Sequence, residues 1–360
     1  MTDVTTTRNR MTIGIDLGDR FSQFWVLDGS GETLEEGRLT MTEGAFRQRF
    51  ESSARAQIAI EAGTHSPWVY ALLTELGHEV LVANPRKLRM IFKSDSKNDR
   101  LDAEKLARVA RMDPKLLSPI EHRGQSTRMD LAVARARDTL VAARTRMVNH
   151  VRGCLKSFAI RLPKCSTRTF PQRVAGTVPK ELRPALVPVL RMIDELTARI
   201  VASEKRIEQL SKERYPETTL LRQVNGVGAV TAFTFVLTLE EPRRFKCSRS
   251  VGAYLGLRPK QRQSGARDPE LRITKAGDQD VRRLLVQSAQ YMLGPFGADS
   301  DLRRFGLALA ARGGKSAKRR AVVALARKLS VLLHRLWLTG EVYEPLRNAA
   351  RRKTCSAAIA

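Results

Sequence analysis

Apolar positions along the chain change period twice, and the changes outline its organisation. Between residues 11 and about 92, short apolar runs alternate with helical spacings. "MTIGIDLG", "FSQFWVLDG" and "ETLEEGRLTM" read as three successive strands with Gly-containing turns between them. "TEGAFRQRFESS" has helical spacing behind a Thr cap. "AQIAIEAG" is a fourth strand, "SPWVYALLTELG" a helix with Pro67 in its first turn, and "HEVLVANP" a fifth strand ended by Pro85. Three strands in hairpin order followed by two helix-linked strands predict an α/β domain built on a mixed sheet.

From about residue 124 the period becomes helical. "MDLAVARARDTLVAARTRMVNHVRGCLKSF" places Val133, Ala136, Leu140, Ala143, Met147, Val151 and Phe158 on one stripe, with arginines over the rest. A Pro-, Thr- and Lys/Arg-rich connection is expected as far as Pro188. Val189, Ile193, Leu196, Ile200, Ser203, Ile207 and Leu210 then recur in steps of four and three. That heptad seam predicts an antiparallel coiled coil, a self-association surface or a plain helical pair. Beyond Tyr215, "LLRQVNGVGAVTAFTF" joins two apolar helices through a Gly turn of helix-hairpin-helix type, whose free N–H groups suit a phosphate. "SAKRRAVVALARKLSVLLHRLWL" closes the region as an amphipathic helix.

Composition changes the picture in one respect. With 64 Lys and Arg against 37 Asp and Glu, the 360-residue chain carries a formal charge of +27, which points to a polyanion, nucleic acid first. The first ten residues lack the apolar core of a secretory signal, and "GAVTAFTFVLTL" is too short to span a bilayer. Cys154, Cys165, Cys247 and Cys355 show neither CxxC spacing nor neighbouring histidines, so neither a zinc site nor a disulfide framework is expected. A reducing bacterial cytoplasm, at the nucleoid, is the expected setting.

Against that basic background, four carboxylates stand out. Asp16 ends the first strand on the face shared by Gly14 and Gly18; Glu61 ends the fourth on the face shared by Ala59. A charge at such a place is costly unless paired or bound to a cation. In "KNDRLDAEKLAR", Asp99 and Asp102 share one helix face at i,i+3; Asp99 as N-cap with Asp102 behind it, a variant capping box, is the reading of the motif alone, and Asp16 and Glu61 shift the balance to metal binding. Both descriptions can hold together. Four such acids in a nucleic-acid protein read as a Mg²⁺ site. Ser264, in "RQSGAR", is flanked by Arg258, Lys260, Arg262 and Arg267, enough charge to hold a phosphate. Ser264-Gly265 as a simple turn, and Ser248 or Ser250 as rival nucleophiles, stay open on the residues alone. Lys275, Arg282 and Arg283 read as phosphate clamps or as solvated surface.

"GIDLG", "IEAGTHSPW" and "KNDRLDAEKLAR", followed by "LLRQVNGVGAVTA", "RSVGAYLGLRPKQRQSG", "ITKAGDQDVRRLL" and "AVVALARKL", resemble in order the DEDD insertion-sequence transposases of the IS-one-hundred-and-ten family. The resemblance spans about residues 11 to 340. It implies a RuvC-like (ribonuclease-H-type) DEDD domain over 11–122, a long-helix coiled-coil region over 123–214, a mainly helical C-terminal transposase domain over 215–340 and a basic tail over 341–360. It also implies that Asp16, Glu61, Asp99 and Asp102 are the metal-binding acids and that Ser264 is the nucleophile toward DNA. Donor and target DNA, a guide RNA encoded by the element and homodimers pairing to tetramers are the implied partners. The expected activity is DNA recombination through a covalent serine–DNA intermediate. A structure-specific nuclease or junction resolvase using water, and a non-catalytic nucleic-acid-binding protein, are the alternatives.

Overall fold

The computed structural model describes residues 10–91, 98–265, 269, 271–314 and 316–348. The chain divides into two compact units, 1–123 and 124–360.

In the first unit, strands β1 (Thr12–Leu17), β2 (Phe21–Leu27) and β3 (Thr33–Thr40) form an antiparallel meander. Helix α1 (Glu43–Phe50) leads to β4 (Gln57–Glu61), and α2 (Ser66–Glu75) to β5 (Glu79–Ala83); α3 (Pro85–Ile91) and α4 (Asp99–Met112) follow. The sheet order is β3-β2-β1-β4-β5, with β1, β4 and β5 parallel, so the expected mixed sheet is present. Thr42 caps α1 by accepting from the Ala45 N–H at 3.3 Å, also as expected.

Alternation along the strands sorts the two faces. Ile13, Ile15, Ile58 and Ile60 pack with Phe46 and Phe50 of α1 and Val69 and Leu73 of α2. On the opposite face Ala59 and Ala83 meet Leu106 and Ala110 of α4, while Trp25 and Leu27 meet Ala103 and Ala107. Gly14 explains how close that packing is. A Cβ there would lie 2.1 Å from the Ala103 carbonyl oxygen and 2.5 Å from the Ala107 nitrogen. Gly14 therefore admits a helix backbone, and a Cβ at Gly18 would lie 2.2 Å from the Phe21 oxygen, so neither leaves open space.

The second unit begins with α5 (Gln125–Ser157), then α6 (Phe170–Ala175) and α7 (Arg183–Arg214). Leu155, Val151 and Val148 pack with Leu186, Leu190 and Ile193, while Leu131 and Ala134 pack with Ile207 and Leu210. The long helices α5 and α7 are therefore antiparallel. Two expectations need correction here. The buried stripe of α5 runs through Leu131, Ala134, Val148, Val151 and Leu155, leaving Ala136 and Phe158 exposed. On α7, Leu190 and Thr197 are buried where Val189, Leu196 and Ser203 are only half-buried.

The seam of this pair is apolar at its ends and polar in its middle, where Arg137 binds Glu204 and Arg144 donates to the Thr197 hydroxyl at 3.2 Å. Burial, together with the charge of Arg137, pushes the Arg144 guanidinium down from its usual value. Pro188, expected in the connection, lies inside α7 and removes one helical hydrogen bond near its start.

The remaining elements are α8 (Glu217–Leu221), α9 (Ala229–Leu239), α10 (Ser248–Tyr254), α11 (Gln279–Leu293), α12 (Asp301–Ala311) and α13 (Ala317–Thr339). The Gly turn between α8 and α9 uses Gly226 at φ +87°. The long apolar run is α9, in which every residue from Thr231 to Leu239 is buried. It packs with α11 and α13 through Phe235, Leu285 and Leu329. Among the described residues, no helix is long and apolar enough to cross a membrane.

Candidate active site and nucleic-acid interface

Register fixes where two of the four acids sit. Ile15 pairs with Ile60 at the end of the β1–β4 ladder, so Asp16 and Glu61 are the next residues on adjacent parallel strands. Gly14 and Ala59, two positions earlier, face α4, and Asp16 and Glu61 follow them onto that face. Both are half-buried.

The direction of α4 brings the other pair to the same end of the sheet. Arg111, near its C-terminus, donates to the Asp28 carbonyl at 3.2 Å, just beyond the Leu27 that pairs with Thr12 at the start of β1. Ala103 lies over Gly14. The helix thus runs antiparallel to β1, and its first turn, with Asp99 and Asp102, extends toward the strand end that bears Asp16. Arg100, between them, anchors this turn by pairing with Glu36 at 2.6 Å and stacking 5.4 Å from the Trp25 ring.

The capping reading of Asp99 is overturned. Asn98 is the N-cap, accepting from the Arg100 N–H at 3.1 Å, and Asp99 is the first helical residue. Asp99 is exposed, and Asp102 accepts from Lys105 at 3.2 Å. Both stand in the first turn, where the helix dipole favours negative charge. Among the described residues, no three of His, Cys, Asp and Glu are grouped closely enough to hold a metal ion. The donor set fits a hard divalent cation in chemistry, four carboxylates at one end of one sheet face, but they stand apart.

Ser264 lies in the second unit, on an exposed arm between α10 and α11. The arm's base is a two-stranded ladder: the Lys260 N–H donates to the Arg272 carbonyl at 3.0 Å, the Thr274 N–H to that of Arg258 at 2.9 Å, and Pro259 bridges Ile273. Two glycines hold the base. A Cβ at Gly256 (φ +70°) would lie 2.1 Å from the Ala276 oxygen, and one at Gly277 (φ +73°) 2.0 Å from the Tyr254 oxygen.

Arg282 completes the fastening. Its Nη1 donates to the carbonyls of Leu255 at 3.0 Å, Ala276 at 2.9 Å and Asp278 at 3.3 Å. Arg283 pairs with Asp138 of α5. These two arginines hold protein groups, a use that charge alone did not disclose. Lys275 is exposed at φ +54°. Arg258, Lys260 and Arg262 are exposed along the arm, and Arg258 donates to Gln261. Arg267 lies outside the described residues.

The two rival serines have local work. Ser250 Oγ donates to the Cys247 carbonyl at 2.7 Å. Ser248 Oγ is 2.9 Å from Nδ1 of fully buried His334, whose Nε2 lies 2.8 Å from the Pro242 carbonyl. A carbonyl only accepts, so Nε2 carries the proton and Ser248 donates to Nδ1. That pair ties α13 to the start of α10. Sequence distance hid this contact, since the two residues are 86 positions apart. Ser264, in contrast, is exposed on its arm beside Gly265 at φ +54°.

A sheet face ending in carboxylates, together with a helical unit bearing an Arg- and Lys-rich arm, defines a nucleic-acid-processing class of protein. Comparison with known proteins narrows the class. Residues 13–160 match the DEDD transposase family, described as Transposase, and residues 218–299 match the Transposase IS116/IS110/IS902 family; together they cover more than half of the chain. The transposase for insertion sequence element IS1328 of Yersinia enterocolitica is 28% identical over 78% of this chain and 84% of its own length. The transposase for insertion sequence element IS1111A of Coxiella burnetii is 26% identical over 92% and 90%. A probable family 20 transposase of Pseudomonas aeruginosa is 28% identical over 78% and 84%. The chain belongs to the IS110 family of insertion-sequence transposases.

Proposed function

We propose that this transposase cuts and rejoins DNA through a covalent serine–DNA intermediate, with Ser264 as the nucleophile and Asp16, Glu61, Asp99 and Asp102 as the acids of a Mg²⁺ site. The observation that supports the reading is the register that sets Asp16 beside Glu61 on adjacent parallel strands, with the first turn of α4, which bears Asp99 and Asp102, directed toward the same strand end. The strand order β3-β2-β1-β4-β5, with the first three antiparallel, supports a RuvC-like description of this unit. Bound there, Mg²⁺ would act as a Lewis acid on a phosphodiester oxygen and neutralise developing charge.

The chain's own residues supply the rest. Ser264 Oγ forms a bond to phosphorus and breaks the bond from phosphorus to the leaving deoxyribose oxygen; the proton Ser264 loses ends on that leaving hydroxyl. Rejoining is the reverse with the hydroxyl of the exchanged strand, so no phosphodiester is lost to water. Arg258, Lys260 and Arg262 hold the phosphate during attack, while Gly256, Gly277 and Arg282 fix the base of the arm from which they project. A guide RNA encoded by the element, pairing with donor and target, and a homodimer pairing to a tetramer complete the proposal.

Recombination between donor and target DNA, with RNA transcribed from the flank of the element and Mg²⁺ present, tests this. Asp16→Asn and Ser264→Ala are each expected to abolish product while leaving DNA binding intact. Normal recombination by either variant would overturn the assignment. Strand breakage that survives Ser264→Ala would make the protein a water-using nuclease.

A further inference from the structure

The second unit holds a groove of about 1420 Å³ between the base of the Ser264 arm, α12 and α13. It exceeds the roughly 300–1,000 Å³ of a small-molecule pocket. Its floor is aliphatic, with Leu257, Leu302, Leu309, Val323 and Leu332 around Phe305. Nine Arg and Lys side chains line it, and no Asp or Glu does so among the described residues. All of these but Arg335 are exposed. Lys328 places its ammonium 3.8 Å from the Phe305 ring centroid, a cation directly over the floor.

An apolar floor under a wholly cationic rim selects an occupant that is both anionic and apolar. Duplex DNA presents phosphates but keeps its base faces stacked inside. An unpaired strand offers both, with phosphates for the rim and base faces for the floor. An acidic amphipathic helix would match the charge as well. The strand is favoured by the groove's continuity with the arm, because Leu257, Pro259, Leu271 and Ile273 form one wall and belong to the two limbs that carry Ser264.

We propose that this groove binds an unpaired DNA strand and leads it to the Ser264 arm. The choice of a DNA strand and its orientation rest on Ser264 being the nucleophile; the anionic and apolar character of the occupant rests on the lining alone. The occupied groove would keep a strand separated from its complement during exchange, with exposed Arg312, just past α12, and Arg319 and Arg327 of α13 as its phosphate contacts.

The test uses the full-length protein with fluorescein-labelled oligothymidylate, a blunt duplex of equal length, oligouridylate, and a Glu-rich amphipathic peptide, read by anisotropy at fixed salt. R312E/R319E/R327E, all at exposed positions, is expected to weaken oligothymidylate binding about tenfold or more, with a smaller effect on the duplex. Leu309→Gln is expected to weaken the single strand alone at an unchanged melting temperature. A strand carrying 5-iodouracil is expected to crosslink to peptides of α12 or α13. Equal losses for duplex and single strand, tighter groove-dependent binding of oligouridylate, or peptide binding that the triple variant abolishes while oligothymidylate is untouched would each overturn the proposal. A single-strand effect without any DNA–protein adduct would sink the nucleophile and keep the groove, whereas an adduct without that effect would sink the groove alone.

Discussion

The two regions that carry the proposed chemistry are built in opposite ways. Two acids stand at a sheet end, where strand register places Asp16 beside Glu61, and the other two stand in the first turn of α4, which packing directs toward the same strand end. The serine stands on an arm whose base is a two-stranded ladder, and Ser264 itself is exposed. A metal site needs several oxygens held by a rigid scaffold. A nucleophile that must reach a phosphate on a large substrate is better carried on a projecting segment. Rigidity in the first unit and reach in the second are therefore separable properties, and substitutions can break one without the other.

Gly14→Ala is expected to have the largest effect. The new methyl would meet the Ala103 carbonyl and the Ala107 nitrogen, both backbone, so α4 must lift from β1 at a cost of about 3 kcal/mol. A lowered midpoint for the first unit in chemical denaturation checks this; an unchanged midpoint would show that α4 packs otherwise. On the serine side, Arg282→Ala removes the guanidinium that binds three carbonyls. A loss of about 2 kcal/mol is expected, with faster amide exchange at Lys260 and Thr274. Exchange as slow as in the parent protein would assign the arm's order elsewhere.

Asn98→Ala should cost about 1 kcal/mol through the lost cap of α4 and should weaken metal binding more than Arg282→Ala does. Equal effects on metal binding would deny the division of labour. The smallest effect at neutral pH is at Tyr215. Burial, reinforced by its 2.7 Å hydrogen bond to Asp130, pushes its phenol up to about 12. The raised value means that the protonated phenol is favoured in the folded state. This contribution is complete below pH 10 and is lost as pH rises from about 10 through about 12. Tyr215→Phe should flatten the fall in stability across that window, and an unchanged slope would contradict the assignment.

Much of the first unit was legible because its signals are local. Alternation in "IGID" and "IAIE" gives both strands and the face of each acid, and the turn residues give the hairpin order. What the pattern could not give was the meaning of Gly14. A small residue beside an acid looks like room for a ligand, whereas the structure fills the space with helix backbone. Nor could spacing tell Asn98 from Asp99 as the cap, since both side chains accept well and only the backbone at Asn98, φ −143°, is extended.

The second unit was harder to read for a physical reason. Its long helices bury polar groups, so the seam passes through Thr197 and the Arg137–Glu204 pair, which an apolar heptad search steps over. Arginines there serve four uses that composition does not separate: helix pairing at Arg137, carbonyl binding at Arg282, ring stacking at Arg244 over Phe245 and Tyr254, and exposed rim at Arg312 and Arg319. Ser264 was singled out by resemblance to the family, not by any local pattern.

The most direct measurement is a covalent-adduct trap. Protein, Mg²⁺, end-labelled donor DNA and RNA transcribed from the flank of the element are mixed, denatured and separated by size. Labelled DNA is expected to be attached to protein, retained through denaturation, mapped to the peptide containing Ser264, and absent in Ser264→Ala and in Asp16→Asn. Cleaved DNA with no attached protein, or an adduct that persists in Ser264→Ala, would contradict it.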